Sequence, residues 1–249
     1  NCVVYHAHGG FVVGSEMSGG VNNMFVSNCT FIGSDIGLRF KTTRGRGGLV
    51  ENIYVNNVNM KDIPAEAILF DMYYMAKDPV VLAGEKREPP KVEFKPVDET
   101  TPQFRNFYFR NITCNGAAKG IFVRGIPEMH VKNIWIENAV LQASEGIDIQ
   151  EASNINLKNI TMISKNTRPV GYVLNSDSIR IDGLRFKDSA EVLLQVQGER
   201  SKDIQLLNSN TAAAKQKLIA GFGAGEAIVS WALPAATEPA KKTKSKKKQ

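Results

Sequence analysis

A six-residue pattern of Asn, apolar, any, apolar, any, Asn recurs along this chain and leaves few folds open to it. It appears as Asn23-Met-Phe-Val-Ser-Asn28, Asn52-Ile-Tyr-Val-Asn-Asn57, Asn106-Phe-Tyr-Phe-Arg-Asn111, Asn133-Ile-Trp-Ile-Glu-Asn138 and Asn154-Ile-Asn-Leu-Lys-Asn159. Degenerate copies follow at Ser178-Ile-Arg-Ile-Asp-Gly183 and Asp203-Ile-Gln-Leu-Leu-Asn208. The copies start 29, 54, 27, 21, 24 and 25 residues apart. Within each copy the apolar residues alternate at period two, the signature of a half-buried strand and not of a helix. Asn at both ends suits corners, because it tolerates left-handed backbone and its amide can bond a neighbour above or below.

A second short apolar run follows most copies, at Gly10-Phe-Val-Val, Gly37-Leu-Arg-Phe, Ala67-Ile-Leu-Phe, Gly120-Ile-Phe-Val and Gly146-Ile-Asp-Ile. Gly10, Gly37 and Gly120 each sit nine residues beyond a closing Asn, taking Asn1 as the end of a further copy. Short strands with Asn and Gly corners, repeated every 21–29 residues, read as coils of a parallel β-helix. Each coil buries its apolar face only by stacking on the next. An antiparallel sandwich would not keep register over seven copies. The expectation is an all-β solenoid of about eight coils, spanning residues 1–230. The long spacing holds an inserted loop over 75–103, rich in Pro, Lys and Glu, and such insertions in solenoids tend to lie on the binding face. After Thr211 the repeat fades, and 212–218 is expected to form a short helix. The chain opens in mid-pattern without an N-terminal cap, so the expectation is the C-terminal part of a longer protein.

Charge enters here. The chain has 31 Lys and Arg against 25 Asp and Glu, but residues 241–249 alone hold six lysines and no acid. Residues 1–240 are therefore neutral overall, and the basic excess belongs to a low-complexity tail over 231–249. A general affinity for nucleic acid is not implied. No apolar run approaches the ~20 residues that a membrane-spanning helix needs. Three scattered cysteines give neither a disulfide framework nor a zinc motif, and Cys2 and Cys29 share a register that suggests stacked interior side chains.

Chemistry-bearing residues gather in the first two coils. His8 lies in His6-Ala-His8-Gly-Gly10, and Asp35, Arg39 and Lys41 follow one coil later in Asp35-Ile-Gly-Leu-Arg39-Phe-Lys41. Counting from Asn1 and Asn28, His8 and Asp35 occupy equivalent positions, so stacked coils bring them together at the ~4.8 Å spacing of adjacent strands. Arg39 and Lys41 are two apart in a strand and project from one face. A histidine with a carboxylate partner beside two cations suits an anionic substrate.

These residues resemble glycoside hydrolase family 28, the polygalacturonases and related pectinases. The likeness rests on His8-Gly-Gly-Phe-Val-Val-Gly-Ser15, Leu38-Arg-Phe-Lys41 and Ala67-Ile-Leu-Phe-Asp-Met-Tyr-Tyr74. Glu16-Met-Ser-Gly-Gly20 and Arg44-Gly-Arg-Gly-Gly48 are similar to its bacterial exo-acting branch. The resemblance implies a right-handed parallel β-helix that hydrolyses α-1,4-galacturonan with inversion and needs no metal or cofactor. It implies a catalytic role for His8, substrate contacts at Arg39, Lys41, Tyr74, Arg44 and Arg46, and a supporting role for Asp35. The partner implied is a pectic polysaccharide or oligogalacturonide, with no nucleic acid and no membrane, acted on by a secreted or periplasmic monomer.

Ala7 stands where the family has a glycine, one additional residue precedes Gly14-Ser15, and Phe40 replaces an Ile. A larger departure is that the family's catalytic carboxylates lie in Asn-Thr-Asp and Asp-Asp motifs, and this sequence contains neither. The chain is therefore expected to hold substrate without cleaving it alone. Two rival readings keep the same scaffold. A polysaccharide lyase would need a Ca²⁺ site of several carboxylates; a carbohydrate-binding adhesin would need no catalytic group.

Overall fold

A computed structural model describes residues 1–76, 81–186 and 189–232. Most of the Lys-rich tail lies outside these residues. The described chain forms a parallel β-solenoid of about eight turns. One face stacks β1 (Cys2–Tyr5), β3 (Val21–Ile32), β5 (Leu49–Asp71), β6 (Gln103–Arg124), β7 (Val131–Gln150), β8 (Ala152–Ser164), β10 (Asp177–Asp182), β13 (Lys202–Leu207) and β15 (Val229–Ala232) in that order. A second face stacks β2 (Phe11–Val13), β4 (Leu38–Lys41), the ends of β5, β6 and β7, then β9 (Gly171–Leu174), β12 (Ala190–Gln197) and β14 (Ala214–Gly221). A short β11 (Arg185–Phe186) pairs with β8. Every ladder between these strands is parallel.

The asparagines make the corners. All ten that bracket the five full copies have positive φ, from 53° at Asn28 and Asn159 to 62° at Asn106. Their side chains form two ladders along the solenoid. One runs from Asn52 through Asn106 and Asn133 to Asn154, with amide-to-carbonyl distances of 3.2, 2.9 and 2.9 Å. The other runs from Asn28 through Asn57, Asn111 and Asn138 to Asn159, at 3.1, 3.1, 3.4 and 3.1 Å. Each asparagine thus holds its own left-handed backbone and binds the coil above it. Asn111→Ala should cost about 1–3 kcal/mol, from the left-handed penalty and the broken ladder. Asn111→Gly, which removes only the ladder bonds, should cost less; denaturant melts that rank the two the other way would refute this division.

Inside, apolar side chains from both faces fill one continuous core. Its densest part is aromatic. Phe70 stacks on Phe40 at 4.8 Å and meets Phe107 edge-on at 4.7 Å, and Phe104 and Phe109 complete the cluster. Phe40 and Leu38 point into this core, which turns their neighbours Arg39 and Lys41 outward.

Two expectations change. Residues 212–218 are not a helix: a single 3-10 turn at Thr211–Ala213 leads straight into β14. The open edge of β12 supplies six backbone partners to that segment, and ladder bonds outweigh local helix preference. Cys2 and Cys29 are register partners as expected, but only Cys29 is buried; Cys2 is exposed, and both are free thiols.

Residues 77–80 of the inserted loop lie outside the described residues. Its described part crosses the outward side of β7, β9 and β12, in the same sheet as β4. Gln150 donates to the Val81 carbonyl at 3.1 Å, Gly84 donates to Gln195 at 3.0 Å, and Gln195 and Gln197 both donate to the Glu85 carbonyl at 3.1 and 3.3 Å. Val81 also packs on Tyr172 and Leu174.

Candidate active site

His8 occupies the corner between β1 and β2, and Asp35 the corner one coil below. Backbone bonds lock the two corners together: Asp35 donates to the Ala7 carbonyl and Gly10 donates to the Ile36 carbonyl, each at 2.9 Å. The side chains meet at 2.8 Å between His8 Nδ1 and Asp35 Oδ2. With Asp35 ionised, Nδ1 carries the proton and donates it, which leaves Nε2 as an acceptor. The pair is well exposed, at 72% and 56%, so a ligand can reach it.

Arg39 lies beside it on β4 and donates from Nη1 to the His8 carbonyl at 3.3 Å. The ring of Tyr74 covers both cations, with Lys41 Nζ 4.1 Å and the Arg39 guanidinium carbon 5.7 Å from its centroid. Tyr74 is held there because its N–H bonds the Thr42 carbonyl and Tyr73 pairs antiparallel with Thr43. Tyr73 instead is buried, as the alternation of the strand requires. Gly14 closes the other side. Its φ is +94°, and a Cβ there would lie 1.9 Å from the Lys41 carbonyl oxygen, so only glycine lets this corner rest on β4.

The electrostatics of the two cations are unusual. Arg39 is 7% exposed and Lys41 9%, yet among the described residues neither is within ion-pair distance of a carboxylate. Arg39 Nε is buried with no hydrogen-bond partner. The acid one rung below Lys41, Asp71, is engaged elsewhere: it accepts from Arg124 Nε at 3.1 Å and from the Tyr73 N–H at 3.0 Å. Buried cations without a directly bonded carboxylate are costly, and such a site gains most from an incoming anion.

The structure does not bring every expected contact residue to this point. Arg44 makes a two-pronged pair with Glu128, at 2.5 and 2.9 Å, and also bonds the Glu93 carbonyl. Although desolvation opposes it, this pairing holds the Glu128 carboxyl below the usual range. Arg46 pairs with Glu16 at 2.7 Å, which lowers the Glu16 pKa as well. Both arginines thus anchor turns and have their charge met within the chain. Sequence reading misses Glu66. It lies one residue before Ala67, where the ladder aligns Gly37, and its carbonyl accepts the Gly37 N–H at 3.0 Å. Burial raises its pKa above the ordinary carboxylate value, while Lys119 and Arg39 pull it down.

Comparison with known proteins matches residues 1–110 to the model of glycosyl hydrolases family 28. The matched segment contains His8, Asp35, Arg39, Lys41 and Tyr74. A polygalacturonase of Ralstonia nicotianae is 32% identical over 121 residues, covering 47% of this chain and 19% of the relative. A probable polygalacturonase of Vitis vinifera is 47% identical over 129 residues, covering 52% and 23%. The matched stretch thus spans about a fifth of the length of these relatives. Among solved structures, a hyperthermoactive exopolygalacturonase from Thermotoga maritima shares the fold, with TM-score 0.53 and 24% identity over 64% of this chain and 33% of its own.

Proposed function

We propose that this chain provides the substrate-holding part of a polygalacturonase-type glycoside hydrolase, acting on α-1,4-galacturonan with inversion. The observation that carries the reading is the pair of buried cations under Tyr74 that make no direct ion pair among the described residues, beside an exposed His8–Asp35 pair. A galacturonate carboxylate placed between Arg39 and Lys41 would supply that direct pairing, and the planar fork of Arg39 suits its geometry. Tyr74 offers an edge to the sugar ring, and His8 Nε2 is placed to accept from a sugar hydroxyl. In the neutral imidazole Asp35 holds the proton on Nδ1, which orients the ring and leaves Nε2 as the acceptor.

Inverting hydrolysis needs a carboxylic acid to protonate the leaving oxygen and a carboxylate to activate water. The family's two Asp motifs are absent from this sequence, so the chain is expected to bind polygalacturonate without cleaving it. Two measurements test the reading. In affinity electrophoresis through polygalacturonate, Arg39→Gln and Lys41→Gln should each weaken retention about tenfold or more, the worth of one charge-assisted hydrogen bond. Retention unchanged by both variants would remove the basis of the proposal. Release of reducing ends by the isolated chain would sink the claim that it lacks the catalytic acids. A secreted or periplasmic location follows from the same reading, because its polymeric substrate lies outside the cell.

A further inference from the structure

The first face of the solenoid carries an aromatic ridge that takes no part in the Arg39–Lys41 cluster. Phe25, Tyr54, Tyr108 and Trp135 share one register column on its outward side. Their rings stack at 4.9, 5.0 and 4.8 Å, each pair within 8° of parallel. Stacking pairs the ring faces and leaves the outer edges bare: Phe25 is 74% exposed, Tyr54 37% and Tyr108 36%. An open groove of about 560 Å³ follows the ridge. Its other wall is the column two residues further along each strand, formed by Ser27, Asn56, Arg110 and Glu137. Contiguous exposed aromatic surface marks a protein contact, where Tyr, Trp and Arg are enriched.

An apolar ridge takes many partners; its polar tips narrow the choice. Among the described residues the Tyr54 and Tyr108 hydroxyls and the Trp135 indole N–H make no hydrogen bond. The second column offers a matching group at each level: the Asn56 amide at Tyr54, the Arg110 guanidinium at Tyr108 and the Glu137 carboxylate at Trp135. The two columns continue over the following coils as Asn156 with Lys158 and Arg180 with Asp182. Charges along them are already balanced within the chain, with Arg110 on Glu137 at 2.9 Å and Arg180 on Asp182 at 3.1 Å.

A two-fold axis parallel to the solenoid, midway between the columns, sets each column of one copy opposite the other column of a second copy at the same level. An amide then meets the Tyr54 hydroxyl, a guanidinium the Tyr108 ring and a carboxylate the Trp135 N–H. Arg180 and Asp182 of the two copies form an alternating square of four charges. Along both columns no like charges meet.

We propose that this face is a two-fold interface with a second copy of the chain, the two solenoids lying side by side and parallel. The columns run for ~34 Å at the spacing of adjacent strands, but they are only two residues wide. That is a small interface, so the dimer is reversible, with dissociation at roughly micromolar concentration. It departs from the monomer expected from the sequence. It leaves Arg39 and Lys41 of both copies outside the contact, on the second face, and does not depend on what they bind.

Sedimentation velocity of the full chain tests this, under reducing conditions so that the exposed Cys2 cannot link chains. A monomer–dimer equilibrium should appear between about 1 and 100 µM. Trp135→Ala should weaken it at least tenfold, as the loss of a central aromatic anchor does. Two charge reversals then test the register. Arg180→Asp sets acids against acids across the two-fold, and Asp182→Arg sets bases against bases, so each variant alone should stay monomeric over that range. Mixed in equal amounts they should form a heterodimer, because every acid of one chain then faces a base of the other. If a reversal unfolds the chain, the wild-type concentration series and Trp135→Ala still decide. Three results would each overturn the proposal: a wild-type monomer at about 100 µM, a dimer untouched by Trp135→Ala, or reversed variants that dimerise as readily alone as mixed. The first of these would leave the groove to a partner other than this chain.

Discussion

Replacing Lys119 by Met is expected to destabilise the fold by about 3–5 kcal/mol at neutral pH, the usual penalty for stripping a buried charge of its partner. Lys119 Nζ sits 2.7 Å from Asp148 Oδ2 and 3.2 Å from Glu145 Oε2, with its ammonium 4.4 Å from the centre of the Phe122 ring. Asp148 is 1% exposed, and Gln150 is its other donor at 2.8 Å. Desolvation pushes the Asp148 carboxyl above its ordinary pKa even with Lys119 present. At Lys119 the balance is reversed: desolvation pulls the ammonium down, but Asp148 and Glu145 together raise it.

These directions set the pH dependence. Unfolded Asp148 ionises at its ordinary pKa and folded Asp148 only above it. Between the two values the native state holds the extra proton, and the contribution of this group to stability falls as pH rises. Removing Lys119 lifts the folded value further and widens that window. The variant's loss should therefore be small in acid, where Asp148 is neutral in both states, and grow toward neutrality. Adding Asp148→Asn should recover most of the loss at neutral pH. Urea denaturation of the single and double variants at acidic and neutral pH measures this. A loss of equal size at both, unrelieved by the second substitution, would mean that Lys119 acts through packing alone.

Phe70→Ala should cost a comparable amount, about 3–5 kcal/mol, through lost burial and an incompletely collapsed cavity. Phe70 has no exposed surface and sits between the coils on either side of it, touching Phe40 on one and Phe104, Phe107 and Phe109 on the other. Deleting it opens the core directly beneath β4, whose outward residues are Arg39 and Lys41. Solenoid stability is close to a sum of coil and neighbour-interface terms, so the damage should centre on that region. Hydrogen exchange should accelerate in β4 and the end of β5 far more than in β12 and β14. Phe70→Leu, which keeps most of the volume, should lose less. Uniform acceleration along the whole solenoid would contradict the local picture.

The legibility of the site differs residue by residue. His8 and Asp35 can be paired from the amino-acid order alone, because each follows a corner asparagine by seven residues and stacked coils preserve such offsets. Arg39 and Lys41 are readable for the same reason, from period-two alternation against Leu38 and Phe40. Glu66 does not stand out, because a register shift between Ile63 and Glu66 breaks the repeat there and its nearness to Arg39 and Lys119 depends on the fold. Arg44 and Arg46 read as substrate contacts in the sequence, whereas the fold gives each of them a carboxylate of its own. Their partners, Glu128 and Glu16, are 84 and 30 residues away, and the Arg44 pairing depends on where two irregular turns meet.

By itself, then, the sequence determined the coil, its corners and the rung on which each residue sits. Those follow from local rules: left-handed asparagine at the bends, alternation along strands, and stacking that repeats every coil. Only the tertiary structure decided which cations lack a direct ion pair, that 214–221 joins the sheet as a strand, and which strands, β7, β9 and β12, the inserted loop crosses. Those outcomes depend on irregular segments and long-range pairing. A repeat period constrains the distance to the next rung, and it carries no information about the path of a loop that leaves the repeat.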